Sequence, residues 1–382
     1  MRIALVSTSC LPVPPRSYGG TELVIYELAE GLVERGHEVT LFATGDSATS
    51  AELRALYPEA VWPPDFTTEM NHVSWAMAEV ARGDFDLVHA HSASALACTR
   101  LMPHVPLVYT IHHVRDAALS RFYEFFPDPW YVAISADQAR REVRLPHLSV
   151  IHHGLDPSRF RWSETPGDYV FFMGRFARIK GPHTAIAAAA RAGVAIKVAG
   201  EVHPVDREFA EREVLWRLEE PGVEYVGCVG GEAKIELLRG ARALLAPIEW
   251  NEPFGLTLIE AMLSGCPVVA FPRGSVPELV EEGVTGYVVE DVAEMADAIR
   301  PGGRVDAFDR RRCRERAVER FSRMRMVMEH ERLYERVITP AAERPSVEPP
   351  PLWIETGGDA EAVGPPAGAD GSVTGVEGPV AP

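Results

Sequence analysis

Short apolar runs alternate with amphipathic stretches along most of the chain. Arg2-Ile3-Ala4-Leu5-Val6-Ser7 opens the sequence as a buried strand and leads into a Pro/Gly-rich loop. Apolar residues then recur at helical spacing from about Thr21 to Glu34, Gly36 stops that helix, and Glu38 to Ala43 forms the next strand. Further strands are predicted over 87–90, 107–111, 131–134 and 149–151. The same rhythm restarts at Tyr169, with strands over 169–173, 195–199, 223–226, 243–247, 266–270 and 286–289. These runs are apolar at nearly every position rather than at alternate ones, as strands of a parallel sheet covered on both faces must be. Two such series predict two doubly wound, Rossmann-like α/β domains facing each other across a cleft. Ligands in such folds bind beyond the carboxyl ends of the strands.

A length of 382 residues fits two domains with additions. The first spans 1–155 and the second 168–305, with a polar hinge between them that carries Pro157 and Pro166. Residues 306–339 form C-terminal helices, the stretch from Phe308 to Val337 being long, charged and rich in Arg and Glu. Beyond it, residues 340–382 hold 9 Pro, 7 Gly and seven acidic side chains against Arg344 alone, which predicts a disordered tail.

The formal charge of −17 argues against nucleic acid or an anionic membrane as partner. Lysine occurs only at Lys180, Lys197 and Lys234, so nearly all the positive charge is arginine. Cys10, Cys98, Cys228, Cys266 and Cys313 are odd in number and scattered, so a reducing cytoplasm is expected. The opening residues lack a basic leader. No stretch approaches the roughly 18 apolar residues of a membrane span, and no integral membrane contact is expected.

The segment from Glu249 to Val289 is the richest in chemistry. A strand ends near Pro247, a loop turns over Asn251-Glu252-Pro253-Phe254, and a helix begins after Gly255. Its free backbone N–H groups around Gly255, Leu256 and Thr257 suit a diphosphate. Glu252 precedes the helix and Glu260 lies a turn inside it, both placed to reach hydroxyls of one ligand. Arg175 and Lys180, on the loop after the first strand of the second domain, are placed to meet a phosphate. Other features have plainer readings. Asp84-Phe85-Asp86 is a D-x-D at the wrong end of its strand for the cleft. His89-Ala90-His91 has metal-ligand spacing but no third ligand nearby. His152-His153 falls at the hinge. The aromatic run from Phe122 to Trp130 could wall an acceptor pocket but also suits ordinary core packing.

Together these motifs resemble the retaining family-four glycosyltransferases. Glu252 and Glu260, in EPFGLTLIEAMLSGCPVVA, match the paired glutamates of that family. GRFARIKG resembles its phosphate-binding loop, PELVEEGVTGYVV the segment closing over the donor sugar, and YGGTELVIYELAEGLVERGHEVTLFA its Gly-Gly loop and first helix. The likeness runs over roughly residues 1–300. It implies the GT-B fold and transfer of a hexose, with retention, from a nucleotide-sugar co-substrate. UDP-glucose is the expected donor and GDP-mannose the alternative.

By the same resemblance, Arg175 and Lys180 bind the donor diphosphate and Glu260 holds the ribose hydroxyls. Glu252, with the amides of Phe254 to Leu256, contacts the donor sugar. Gly19 and Gly20 allow close approach to the phosphates, and His112 contacts the sugar, with His113 its near neighbour. The resemblance also implies same-face attack in which a leaving diphosphate oxygen helps deprotonate the acceptor, so no side-chain nucleophile is required. Neither a metal nor a tightly bound cofactor is expected, because the cations and the helix start supply positive charge at the leaving group.

An NAD-dependent oxidoreductase should carry G-x-G-x-x-G after the first strand, where this chain has Ser7-Thr8-Ser9-Cys10-Leu11-Pro12. An epimerase or phosphorylase on the same fold, or a non-catalytic sugar-nucleotide-binding protein, fits the glutamate pair and its following LSGCPVV less well. Residues 1–150 hold 11 Arg and 18 acidic groups, which favours a soluble small-molecule acceptor over a membrane lipid. Deleting residues 345–382 is expected to leave the melting temperature and turnover essentially unchanged. An insoluble product, or one with clearly reduced turnover, would show that Trp353 and its neighbours dock on the body.

Overall fold

The computed structural model describes residues 1–16 and 19–339, so the expected tail at 340–382 lies outside the described residues. The first sheet holds β1 (Arg2–Val6), β2 (Glu38–Phe42), β3 (Glu52–Arg54), β4 (Leu87–Ala90), β5 (Leu107–Ile111), β6 (Trp130–Ala133) and β7 (Leu148–Val150). All are parallel, in the order β3-β2-β1-β4-β5-β6-β7. The second holds β8 (Tyr169–Met173), β9 (Ala195–Ala199), β10 (Val223–Gly227), β11 (Leu244–Ala246), β12 (Val268–Ala270) and β13 (Gly286–Val288). These too are parallel, in the order β10-β9-β8-β11-β12-β13. The strand order reverses between β1 and β4 in one sheet and between β8 and β11 in the other, and a crevice opens at each such point.

Helices cover both faces of each sheet. The first carries α1 (Gly20–Glu34), α2 (Phe66–Arg82), α3 (Ala117–Glu124) and α4 (Ala136–Arg141). The second carries α5 (Pro182–Ala192), α6 (Arg207–Glu213), α7 (Gly231–Gly240), α8 (Leu256–Leu263), α9 (Val276–Leu279) and α10 (Val292–Ile299). α11 (Arg310–Phe321) and α12 (Arg323–Ile338) end the described chain. The period-two geometry of a strand explains why β1 is apolar throughout. Ile3 and Leu5 face a core shared with α1 and α12, while Ala4 and Val6 face one shared with α2. β8 divides likewise, Phe171 toward α8 and α11, Val170 and Phe172 toward α5 and α10. Among the described residues no helix is long and apolar enough to cross a membrane.

Two elements escape the sequence pattern. β3 is a short edge strand whose residues are only half-buried, so it lacks a continuous apolar run. α2 has a legible signal in hindsight: Asp65 caps it by accepting from Thr68 N, and His72, Val73, Ala76, Met77 and Val80 form its buried stripe. The helical stretch from Phe308 to Val337 is also not continuous. Ser322 is extended, at φ −71° and ψ 147°, and divides it into α11 and α12.

That break has a structural cause. Leu155 N donates to Phe321 O (2.9 Å) and Arg323 N donates to Leu155 O (2.7 Å), so the hinge strand and the helix junction are stitched side by side. Gly154 is required there, since a Cβ would lie 2.4 Å from Ser322 O. The chain therefore crosses between the domains twice at one place. α11 packs on the second domain through Cys313, Ala317 and Phe321, and α12 returns to the first through Met326, Val327, Leu333, Tyr334 and Val337.

The buried carboxylate of Glu27 accepts from Asp156 N at the same crossing and lies near Arg159 and Arg323. Burial raises its pKa to about 7 against the pull of the two arginines. Leu333 is fully buried against α1 and the first sheet. Leu333→Ala is expected to cost about 2–5 kcal/mol in urea unfolding, a core penalty for a residue far beyond the first domain in sequence. A loss near zero would mean that α12 is not part of that core.

Candidate active site

The two domains meet through segments that follow strands, among them the helix starts after β1 and β11. α1 and α8 both begin there, and neither has a side-chain cap on its first turn. The two starts face each other closely, since a Cβ added to Gly20 would come within 3.2 Å of Leu256 Cδ1. Gly19 is needed for a different reason than cross-cleft approach. A Cβ there would run into Pro15 and Leu11 of its own loop, at 2.7 and 2.8 Å. Gly255 turns the chain into α8 at φ +94°, a conformation that favours glycine. Phe254 is buried, and its carbonyl accepts from Ser275 Oγ at 2.6 Å. Gly274, at φ +60°, lets the following loop press on Glu252, because a Cβ would lie 2.3 Å from the Glu252 backbone.

The charged residues are joined in pairs that the sequence does not reveal. Lys180 Nζ lies 2.6 Å from Glu252 Oε2, an oxygen that also accepts from the Trp250 indole at 2.9 Å. The Lys180 ammonium lies 4.9 Å from the centre of the Trp250 ring as well. Glu260 is buried and its Oε1 is 2.5 Å from Lys234 Nζ. Arg175 does not share in either pair. Its Nε lies 2.8 Å from Asp206 Oδ2 without hydrogen-bond geometry, which leaves its two terminal nitrogens for a ligand.

Across the cleft, His112 and His113 turn opposite ways. His112 Nε2 is 2.8 Å from His91 Nδ1, and its ring stacks on His153 at 5.5 Å. His153 in turn meets Phe254 edge-on at 4.9 Å, so His112 is the histidine on the domain boundary. His113 bonds Tyr123 Oη at 2.7 Å and the Val114 carbonyl, inside the first domain. Tyr123 is itself fully buried, so that part of the aromatic run is core. His89 is buried between Tyr334 and Thr110, both at 2.7 Å. Asp84 and Asp86 engage Arg2 at the amino end of β1, away from the cleft.

Two carboxylates on the first domain complete the setting. Glu22, near the start of α1, accepts from Thr8 Oγ1 at 2.6 Å, and burial raises its pKa. Glu69 accepts from the backbone and hydroxyl of Ser9. Glu278, from α9, accepts from Ala136 N and Asp137 N of the first domain at 2.9 and 3.0 Å and lies 2.6 Å from His152 Nε2. Burial alone would raise its pKa, but His152 and the two backbone donors outweigh that and hold it below the ordinary value. Glu278 thereby ties the two domains together.

Sequence reasoning missed Lys234, Asp206, Trp250, Gly274 and Ser275. Lysine scarcity was the available signal for Lys234, since two of the three lysines converge on the two glutamates.

Two parallel-sheet α/β domains facing each other across a cleft have the GT-B arrangement. Residues 18–159 match the family described as "Glycosyltransferase Family 4" and residues 167–301 the one described as "Glycosyl transferases group 1". The two matches follow one another along the chain and make it a glycosyltransferase, consistent with a family-four-like type.

It is similar to the D-inositol 3-phosphate glycosyltransferase of Mycobacterium tuberculosis, 29% identical over 386 residues, covering 84% of this chain and 79% of that one. Among solved structures it is similar to AviGT4, a glycosyltransferase involved in avilamycin A biosynthesis. That match has 25% identity and a TM-score of 0.70, and covers 88% of this chain and 98% of that one. Sucrose-phosphate synthase from Thermosynechococcus elongatus shares the fold at a TM-score of 0.74 and 21% identity, over 88% of this chain and 98% of that one.

Burial lowers the pKa of the boundary histidines, to about 3 for His112 and about 4 for His330, with His89, His91 and His153 also well below the usual value. The folded chain therefore resists protonation that the unfolded chain accepts below about pH 6.5. The stability these histidines contribute is expected to be complete above that pH and to fall as pH drops below it, opposed by Glu27, whose raised pKa of about 7 costs stability as pH rises from about 4.5 toward 7. Urea unfolding at pH 7.5, 6 and 5 measures this, and a pH-independent midpoint would contradict it.

Proposed function

We propose that the chain moves a hexose from a nucleotide-sugar donor, UDP-glucose by expectation, to a small hydroxylated acceptor, with retention and without a metal ion. The observation that carries this reading is the facing of two uncapped helix starts, at Gly20 and Leu256, beside the Lys180–Glu252 pair. Unpaired backbone N–H groups and an ammonium converge where a diphosphate must depart. Charge grows on the leaving oxygen as the glycosidic bond breaks, and donors already in place strengthen with it.

The pairing observed here defines what each group can still do. Lys180 has N–H bonds left to give once Glu252 is satisfied, so a diphosphate can join the pair rather than replace it. Glu252, fixed through Oε2 by Lys180 and Trp250, keeps Oε1 for a hydroxyl of the donor sugar. Arg175 adds its terminal nitrogens, and His112 borders the sugar from the first domain. Closure of the cleft excludes water from the cationic centre formed as the bond breaks.

Thr8, Ser9 and Cys10 with Glu22 and Glu69 form a hydroxyl-and-carboxylate cluster beside the start of α1, which we assign to the acceptor side. Relatives named D-inositol 3-phosphate glycosyltransferases support a small polyhydroxylated acceptor.

The test follows UDP release from UDP-glucose with myo-inositol and related polyols as acceptors. Turnover is expected to persist in EDTA. Lys180→Ala is expected to lower kcat on the order of a hundred- to thousandfold, while Glu260→Ala raises the donor KM and largely spares kcat. Loss of turnover in EDTA that manganese restores would reject the metal-free reading. A Lys180→Ala enzyme altered only in KM would remove Lys180 from the leaving group.

A further inference from the structure

α2 leaves part of its apolar stripe uncovered. Phe66, Met70, Val73, Met77 and Val80 recur at helical spacing and share one face. Val73, Met77 and Val80 are buried in the core that α2 forms with Ala4 and Val6 of β1. Phe66 and Met70, on that same face, are 74% and 41% exposed, and Trp62 in the loop before the helix is 62% exposed. α2 joins β3 to β4, two strands of a parallel sheet, so it starts at their carboxyl edge and runs back toward their amino edge. Its uncovered start therefore overhangs the edge at which ligands of such sheets bind.

The overhang is bonded to the hydroxyl-and-carboxylate cluster beside α1. Glu69, next to Met70, accepts from Ser9 N at 3.0 Å and from Ser9 Oγ at 2.9 Å. Val61 N, next to Trp62, donates to Ser9 O at 3.0 Å. Single exposed apolar side chains are ordinary, but three large ones grouped beside a polar cluster at a ligand edge mark a binding surface.

Charge decides what can cover it. From Leu56 to Met70 the charged residues are Glu59, Asp65 and Glu69. Arg16 lies near this segment but is paired with Asp46, whose other carboxylate oxygen accepts from Ala60 N. An anionic lipid surface, the acidic sequence beyond residue 340 or a second copy of the patch would each set negative charge against negative charge. An uncharged small molecule meets no such cost.

We propose that Trp62, Phe66 and Met70 form a platform for an uncharged aromatic or apolar part of the acceptor, which is then an amphipathic molecule with a hydroxylated head rather than a bare polyol. The inference rests on the acceptor side proposed above and adds to it a substrate class and three specificity-determining residues. The head bonds the cluster around Ser9, and the apolar part lies against the indole and phenyl rings, removing their faces from water.

The test is calorimetric titration, with and without saturating UDP, of phenyl β-D-glucopyranoside against methyl β-D-glucopyranoside. The two offer the same hydroxyls and differ in the apolar group. Wild-type protein is expected to bind the phenyl glycoside on the order of tenfold more tightly, from the added ring area covered. Trp62→Ser and Phe66→Ser are each expected to reduce that preference and together to abolish it, leaving the affinity for the methyl glycoside and the melting temperature unchanged. Trp62→Phe, which keeps an aromatic face, is expected to retain it.

The inference is overturned if wild type binds both glycosides equally or binds neither, or if the double variant keeps the preference. It is also overturned by cosedimentation with phosphatidylcholine–phosphatidylglycerol vesicles, or by a dimer in sedimentation velocity, that the double variant loses, since the patch would then be a membrane or self-contact. Protein that binds no UDP yet shows the aromatic preference rejects the nucleotide-sugar reading and supports this one.

Discussion

The double crossing of the chain between its domains is the constraint on which the rest depends. Leu155 pairs with Phe321 and Arg323 through backbone hydrogen bonds, and Gly154 lets the two strands of the crossing touch. Backbone bonds of this kind fix direction as well as distance, so the two domains meet with the helix starts after β1 and β11 facing. Glu27 sits at the same place among Asp156, Arg159 and Arg323, a buried acid whose neighbours offset the cost of its burial. α12 then anchors the returning chain on the first domain through apolar contacts that neither sheet makes alone.

Within that frame, the cleft is polarised by a small number of charges. Two glutamates eight residues apart would repel any diphosphate if left alone. Each instead holds one of the rare lysines, which turns a repulsive wall into two neutral pairs with spare donors and spare acceptors. The helix starts at Gly20 and Leu256 supply the remaining positive potential from backbone dipoles, which cost no reorganisation when charge develops. Arg175, held by Asp206, stands beside this arrangement rather than within either pair.

Part of the domain boundary is a cluster of histidines whose burial disfavours their charged form. His89, His91, His112, His153 and His330 pack ring to ring, and Phe254 joins that stack to the second domain. Glu278 adds a polar tie from α9 to the start of α4 and to His152. A carboxylate bound by two N–H groups and an imidazole has a single favoured position, so Glu278 adds a second point of defined geometry to the crossing at Leu155.

The sequence by itself determined the two sheets, because strands buried on both faces must be apolar at every position and few other folds require that. It also located the helix start at Gly255, since a glycine followed by an apolar helix exposes backbone donors whatever lies around it. Edge strand β3 and the division at Ser322 were not legible, because one lacks a buried face and the other is imposed by hydrogen bonds to Leu155, far away in sequence. The pairing of Lys180 with Glu252 and of Lys234 with Glu260 was equally out of reach. Each pair joins side chains from different strand–helix units, and only the packing of those units decides which cation meets which acid. The choice of His112 over His113 as the boundary residue depended in the same way on Tyr123, which draws His113 inward. Local pattern thus specifies elements and their exposed backbone groups, whereas the partners of charged and titratable side chains are set by distances that exist only after the two domains have docked.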